Sequence, residues 1–75
     1  MLMDDLKKEL MTLKVPEELY SLNGGLPNEC LCLSHEEGIW EIYYSERGNK
    51  TGLIIYDNEP EACEIFLEKI KKMIK

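Results

Sequence analysis

Seventy-five residues, 44% hydrophobic and 32% charged, make one domain over residues 1–75; there is no room for a second core, and the chain is too apolar for disorder. The net charge of −6 is uneven: residues 15–68 hold twelve acids against two bases, while the two ends hold seven lysines against three acids. So acidic a centre excludes a nucleic-acid binder, whose footprint is a basic patch, and fits a protein that docks on something basic.

The opening "MLMDDLKKEL" has acids where a secretory signal needs a basic start, and no apolar run approaches a membrane span. Leu2, Leu6, Leu10 and Leu13 recur at spacings of four, four and three, which predicts an amphipathic helix over residues 2–14. Asp4 and Asp5 near its start and Lys14 near its end suit the helix dipole, and Val15-Pro16 stops it. Next, "ELYSLNGGLPNECLCL" predicts two short strands, 18–22 and 29–34, around an Asn23-Gly24-Gly25 turn. After "SHEEG", the β-branched and aromatic run "IWEIYYSE" predicts a strand over 39–46, and "TGLIIYD" another over 51–56. Asn58 is the expected N-cap of a final helix, with Glu61 completing a capping box and Pro60 tolerated in the first turn. Its apolar stripe is Cys63, Phe66, Leu67, Ile70, Met73 and Ile74, and Lys69, Lys71, Lys72 and Lys75 crowd its end.

Short turns between strands imply an antiparallel meander of three or four strands. Two helices with one apolar stripe each would cover one face of it, giving an α+β two-layer sandwich. Alternation puts Trp40, Ile42 and Tyr44 toward the helices, and Ile39, Glu41, Tyr43 and Ser45 on the other face. The expected core is Leu6, Leu10, Leu33, Trp40, Ile42, Tyr44, Phe66, Leu67 and Ile70.

No motif assembles a catalytic set. "GNKTG" is flanked by two strands, whereas a phosphate loop needs a longer glycine run that opens a helix. It reads as a four-residue hairpin connection with Gly48-Asn49 at positive φ. Glu46 and Arg47 at its base would pair with each other or with Asp57, or meet a partner. Cys30, Cys32, Cys63 and His35 lack the paired knuckles of structural zinc, so the cysteines read as small core residues, with no metal and no cofactor. An odd cysteine count makes no disulfide framework, which suits a reduced, cytoplasmic protein. His35, beside Glu36 and Glu37, reads as a solvated turn residue, since its neighbour Ser34 points to the opposite face. Carboxylate pairs for acid–base work need a sheltered cleft, rare in so small a domain. Nothing here builds an enzyme.

Across residues 18–66, Tyr20-Ser21, Gly24-Gly25, Trp40, the run Tyr43-Tyr44-Ser45-Glu46-Arg47-Gly48 and Glu61-Ala62-Cys63 form a pattern. It resembles a family of small immunity proteins from bacterial polymorphic toxin and contact-dependent growth inhibition systems. The resemblance implies a cytoplasmic protein that binds the C-terminal toxin domain of its own system, often a nuclease with a basic cleft, and blocks it. It assigns no contact residues. Those follow from strand alternation and charge: Tyr43 as an anchor beside Glu41, Glu36, Glu37 and Glu46 as a rim, Arg47 on the hairpin, and otherwise Glu59, Glu61 and Glu64 on the second helix. The competing expectation is a small structural or regulatory homo-oligomer, a dimer for instance, that uses its spare sheet face for self-pairing.

Overall fold

The computed structural model describes residues 1–74; Lys75, the last of the C-terminal lysines, lies outside the described residues. Helix α1 spans Met3–Thr12, and a 3-10 turn follows at Glu17–Leu19. Strands β1 (Tyr20–Ser21), β2 (Cys30–Glu36), β3 (Ile39–Glu46) and β4 (Asn49–Tyr56) form one sheet in that order, and helix α2 (Glu59–Met73) closes the chain. The arrangement is an α+β two-layer one, with helices at both termini. Leu6 and Leu10 of α1 and Ala62, Cys63, Phe66, Leu67 and Ile70 of α2 pack with Leu31, Leu33, Trp40 and Ile42 in one cluster. Each fully buried large aliphatic or aromatic side chain there contributes about 1.5–3 kcal/mol. Tyr44, expected in the core, faces this cluster but is only half-buried, and Met73 and Ile74, the end of the expected stripe, are exposed.

Local chemistry explains the helix ends. The Asp5 carboxylate accepts from the Leu2 backbone N–H at 3.0 Å, and the Met3 N–H donates to Glu59 Oε2 at 2.8 Å. Glu59, at the start of α2, therefore serves the start of α1, where orphan N–H groups need acceptors. At the other end, Val15 N–H reaches the Leu10 carbonyl and Lys14 N–H the Met11 carbonyl, a Schellman closure. It holds Lys14 at φ +57, where glycine is usual. The Asn58 side chain accepts from the Glu61 N–H at 2.8 Å, the expected cap of α2.

The sheet departs from a simple meander at its start. β1 pairs parallel to β2, Tyr20 with Leu31 and Ser21 with Cys32, while β2–β3 and β3–β4 are antiparallel. The Asn23-Gly24-Gly25 segment is thus no hairpin turn. Residues 22–29 instead run back over the face away from the helices as a strap. The Tyr43 hydroxyl donates to the Gly25 carbonyl at 2.6 Å, and the Ser45 hydroxyl to the Pro27 carbonyl at 2.6 Å. Under the strap lies a second buried cluster of Cys30, Cys32 and Tyr43, with Ser45 fully buried beside it. Gly24 sits at φ +70, and a Cβ there would stand 3.1 Å from Ser34 Cβ, so the strap needs a residue without a side chain at that point.

Both hairpins are tight. Glu36 pairs with Ile39 around Glu37 and Gly38, and Glu46 with Asn49 around Arg47 and Gly48; all four central residues have positive φ, as type I′ turns require. The second turn corrects the four-residue reading: the positive-φ pair is Arg47-Gly48, and Asn49 and Lys50 already belong to β4. The register then slips between Ile42 and Tyr44, where Gly52 and Leu53 together oppose Tyr43 in a bulge with Gly52 at φ +65.

Candidate functional site

Three elements converge at one end of the sheet. The β2–β3 turn carries Glu36 and Glu37, and Tyr56, last residue of β4, pairs with Trp40 and leads to Asp57. The two helix starts meet there through the Met3–Glu59 hydrogen bond. Met3 also lines a groove of about 510 Å³ with Leu22, His35, Glu36 and Trp40. Asp4, Asp5, Glu36, Glu37, Asp57 and Glu59 therefore share this end of the molecule.

Part of that charge has a local explanation. Helix N-termini carry partial positive charge and unpaired N–H groups, so Asp4, Asp5, Glu59 and Glu61 sit where acids stabilise the fold. Glu36 and Glu37 have no such role. They lie with Ser34, Ile39 and Glu41 around a shallow cleft of about 320 Å³ on the sheet face beyond the strap. Glu37 occupies a positive-φ turn position that asparagine or glycine would fill with less strain. Ile39 is 48% exposed at the cleft and supplies its apolar surface.

The expected site residues separate into three places. Glu36, Glu37 and Glu41 come together. Glu46 and Arg47 lie at the opposite end of β3, roughly 24 Å away by strand rise. Glu59 is committed to α1, and Glu61 and Glu64 are exposed on α2. Tyr43 is corrected outright as a surface anchor. Alternation places it on the face away from the helices, as expected, but the strap covers it and leaves it 1% exposed. The pairing expected of Arg47 is corrected too: among the described residues the ion pair is Lys50 with Glu41, at 3.6 Å, and the Lys50 ammonium also lies 4.7 Å from the centre of the Tyr43 ring. Arg47 meets the strap instead, its N–H donating to Asn28 Oδ1 at 3.4 Å.

His35 belongs to β2 and stacks on its cross-strand partner Trp40, ring centres 3.9 Å apart and 10° from coplanar. It forms the outer wall of the groove and shields the indole. The three cysteines are free and buried, Cys30 and Cys32 under the strap and Cys63 in the helix-side cluster, on opposite sides of the sheet. Burial pushes the Cys63 thiol up to about 11, reinforced by the Glu59 carboxylate. Cys32 is raised as well, first by burial and then by Cys30. A thiol so shifted is a poor nucleophile at neutral pH.

Sequence reasoning missed Ile39 and Ser34 as cleft residues, although alternation already grouped Ile39 with Glu41. It also missed that the helix starts join the β2–β3 turn at one end, because no local signal reports which ends of distant elements meet. Comparison with protein-family models, with curated proteins and with solved structures finds no match for this chain.

Proposed function

We propose that this protein is an immunity protein: it acts in the cytoplasm, binds a cognate bacterial toxin domain of nuclease type, and neutralises it by covering a basic active or substrate-binding surface. The observation that carries the reading is the cleft of Glu36, Glu37 and Glu41 around exposed Ile39, at the end of the molecule where the other acids gather. Carboxylates around an apolar centre, of which Glu41 alone meets a cation among the described residues, are complementary to a basic cleft, and such charge acts mainly on encounter. The resemblance of residues 18–66 to small immunity proteins points the same way. Inhibition by occupancy needs no catalytic group, and the three thiols are buried, with burial raising those of Cys32 and Cys63.

The buried Tyr43 moves the apolar contact of this reading to Ile39. Among the described residues no helix is long and apolar enough to cross a membrane. The test is binding kinetics with the toxin domain encoded beside this chain, joined to a growth-protection assay. Neutralising Glu36 and Glu37 to glutamine slows association and flattens its salt dependence, while Ile39→Ala hastens dissociation. If both variants bind and protect as wild type does, the interface is elsewhere and the reading is wrong.

A further inference from the structure

β4 is an edge of the sheet and, among the described residues, pairs only with β3. Its middle, Leu53-Ile54-Ile55, is apolar on both faces and exposed at 42, 45 and 60%. An edge strand of a monomer normally shows one polar face, a proline or several charges, because its free N–H and C=O groups template another strand. A strand apolar on both faces is instead the pattern of a sheet interior. The helices leave the β4 side of the sheet open, so Ile54 is half-exposed even though its partner Ile42 is buried.

We propose that β4 pairs antiparallel with β4 of a second copy of this chain, joining two four-stranded sheets into one of eight strands. Self-complementarity argues for a second copy over any other occupant. A two-fold axis through Ile54 sets Ile54 against its equivalent on the helix side and Leu53 against Ile55, twice, on the other side. Faces match, since Ile54 pairs with Ile42 of the helix-side cluster and Ile55 with Glu41 of the opposite face. Beyond the bulge, Thr51 meets Tyr56, both on the helix side as the partners of Tyr44 and Trp40. Lys50, which pairs with Glu41 of its own sheet at 3.6 Å, then also meets Asp57 of the other copy at each end. The bulge at Gly52-Leu53 supplies the one-residue shift that brings those charges into line. The opposite edge of the sheet, β1, is two residues long and cannot template a strand, so the pairing closes at two copies and does not grow into a fibre.

This proposal rests on β4 alone and not on the inhibitory reading. The test measures the molar mass of the purified full chain by sedimentation at about 100 µM, far above a micromolar dissociation constant. The expected mass is twice 8.8 kDa. Ile54→Lys raises the dissociation constant by about tenfold or more and leaves Trp40 fluorescence native. Asp57→Lys also weakens the dimer, and adding Lys50→Asp to it restores association, which a merely sticky edge would not do. In wild type, the β4 amides that point away from β3 gain protection from hydrogen exchange as concentration rises, a readout that needs no variant. A monomer at every concentration overturns the proposal. So does a dimer indifferent to Ile54→Lys, or protection of β4 that appears only with an added toxin domain, which would assign the edge to that partner.

Discussion

Truncating Tyr43 tests whether the strap is part of the fold. The ring is buried with Cys30 and Cys32, Lys50 lies over it, and its hydroxyl donates to the Gly25 carbonyl at 2.6 Å. Tyr43→Phe keeps the ring and removes one hydrogen bond. Gly25 is exposed, so water takes over its carbonyl, and the loss stays at about 1 kcal/mol. Tyr43→Ala also leaves a cavity, at about 3–5 kcal/mol. A chain of this length has a total stability of roughly 4–11 kcal/mol, so the alanine variant consumes about a quarter of it or more. The chain has a single tryptophan, Trp40, which reports both transitions in a urea titration. Faster amide exchange over residues 22–26 in Tyr43→Phe should accompany the loss. If Tyr43→Ala costs less than about 1 kcal/mol while weakening a partner's binding, the strap is dispensable and the ring acts at the surface after all.

Two other outcomes follow from the backbone and the core. Lys14→Gly relieves a side chain held at φ +57 in the Schellman closure and should raise stability by about 0.5–1 kcal/mol in the same titration; no gain would show that the αL cost is already offset there. The Cys63 thiol ionises near 9 in the unfolded chain and only at about 11 when folded, so its contribution is complete below pH 9 and lost as pH rises through 11. That makes about 2–3 kcal/mol of alkaline destabilisation, steepest between those values, which Cys63→Ala should largely flatten; an unchanged slope would place the titration at Cys32 or Tyr43, whose ionisation is shifted the same way.

The two helices, the four strands and the faces of β3 are legible in the sequence because each is a local pattern with end signals; the parallel pairing of β1 is not. Leu6 and Leu10 at spacing four, and Trp40 and Ile42 at spacing two, land in the core for that reason. The strap was not legible. Asn23-Gly24-Gly25 carries a turn signal, and the chain uses Gly24 for close passage over Ser34 rather than for a hairpin. Long-range bonds fix that path: those of Tyr43 and Ser45 to Gly25 and Pro27, eighteen residues apart in each case, with the Gly24 N–H to the Leu33 carbonyl and the Arg47 backbone N–H to Asn28. Alternation tells which face a side chain points to; it says nothing of what else crosses that face. The misplacement of Tyr43 as a surface anchor is that gap. The site divides the same way: the acids are plain in the composition, but their gathering at one end depends on the helix starts meeting the β2–β3 turn.

Beside the positive φ of Lys14, Glu29 and Arg47, two exposed regions depart from local optimality. A domain of 75 residues has little stability in reserve, and most of its choices are locally consistent: Asn58 caps α2, Gly38 and Gly48 sit where type I′ turns need them, and among the described residues no buried polar side-chain atom lacks a partner. Against that background Glu37 holds a strained turn position beside two more carboxylates, and Leu53-Ile54-Ile55 leaves an apolar strand open along the edge. Neither helps the isolated fold. Among the described residues charge at Glu37 adds repulsion without a cation to meet, and the open strand invites aggregation. A basic surface over the first and a second copy along the second would turn both defects of the monomer into contacts of an assembly.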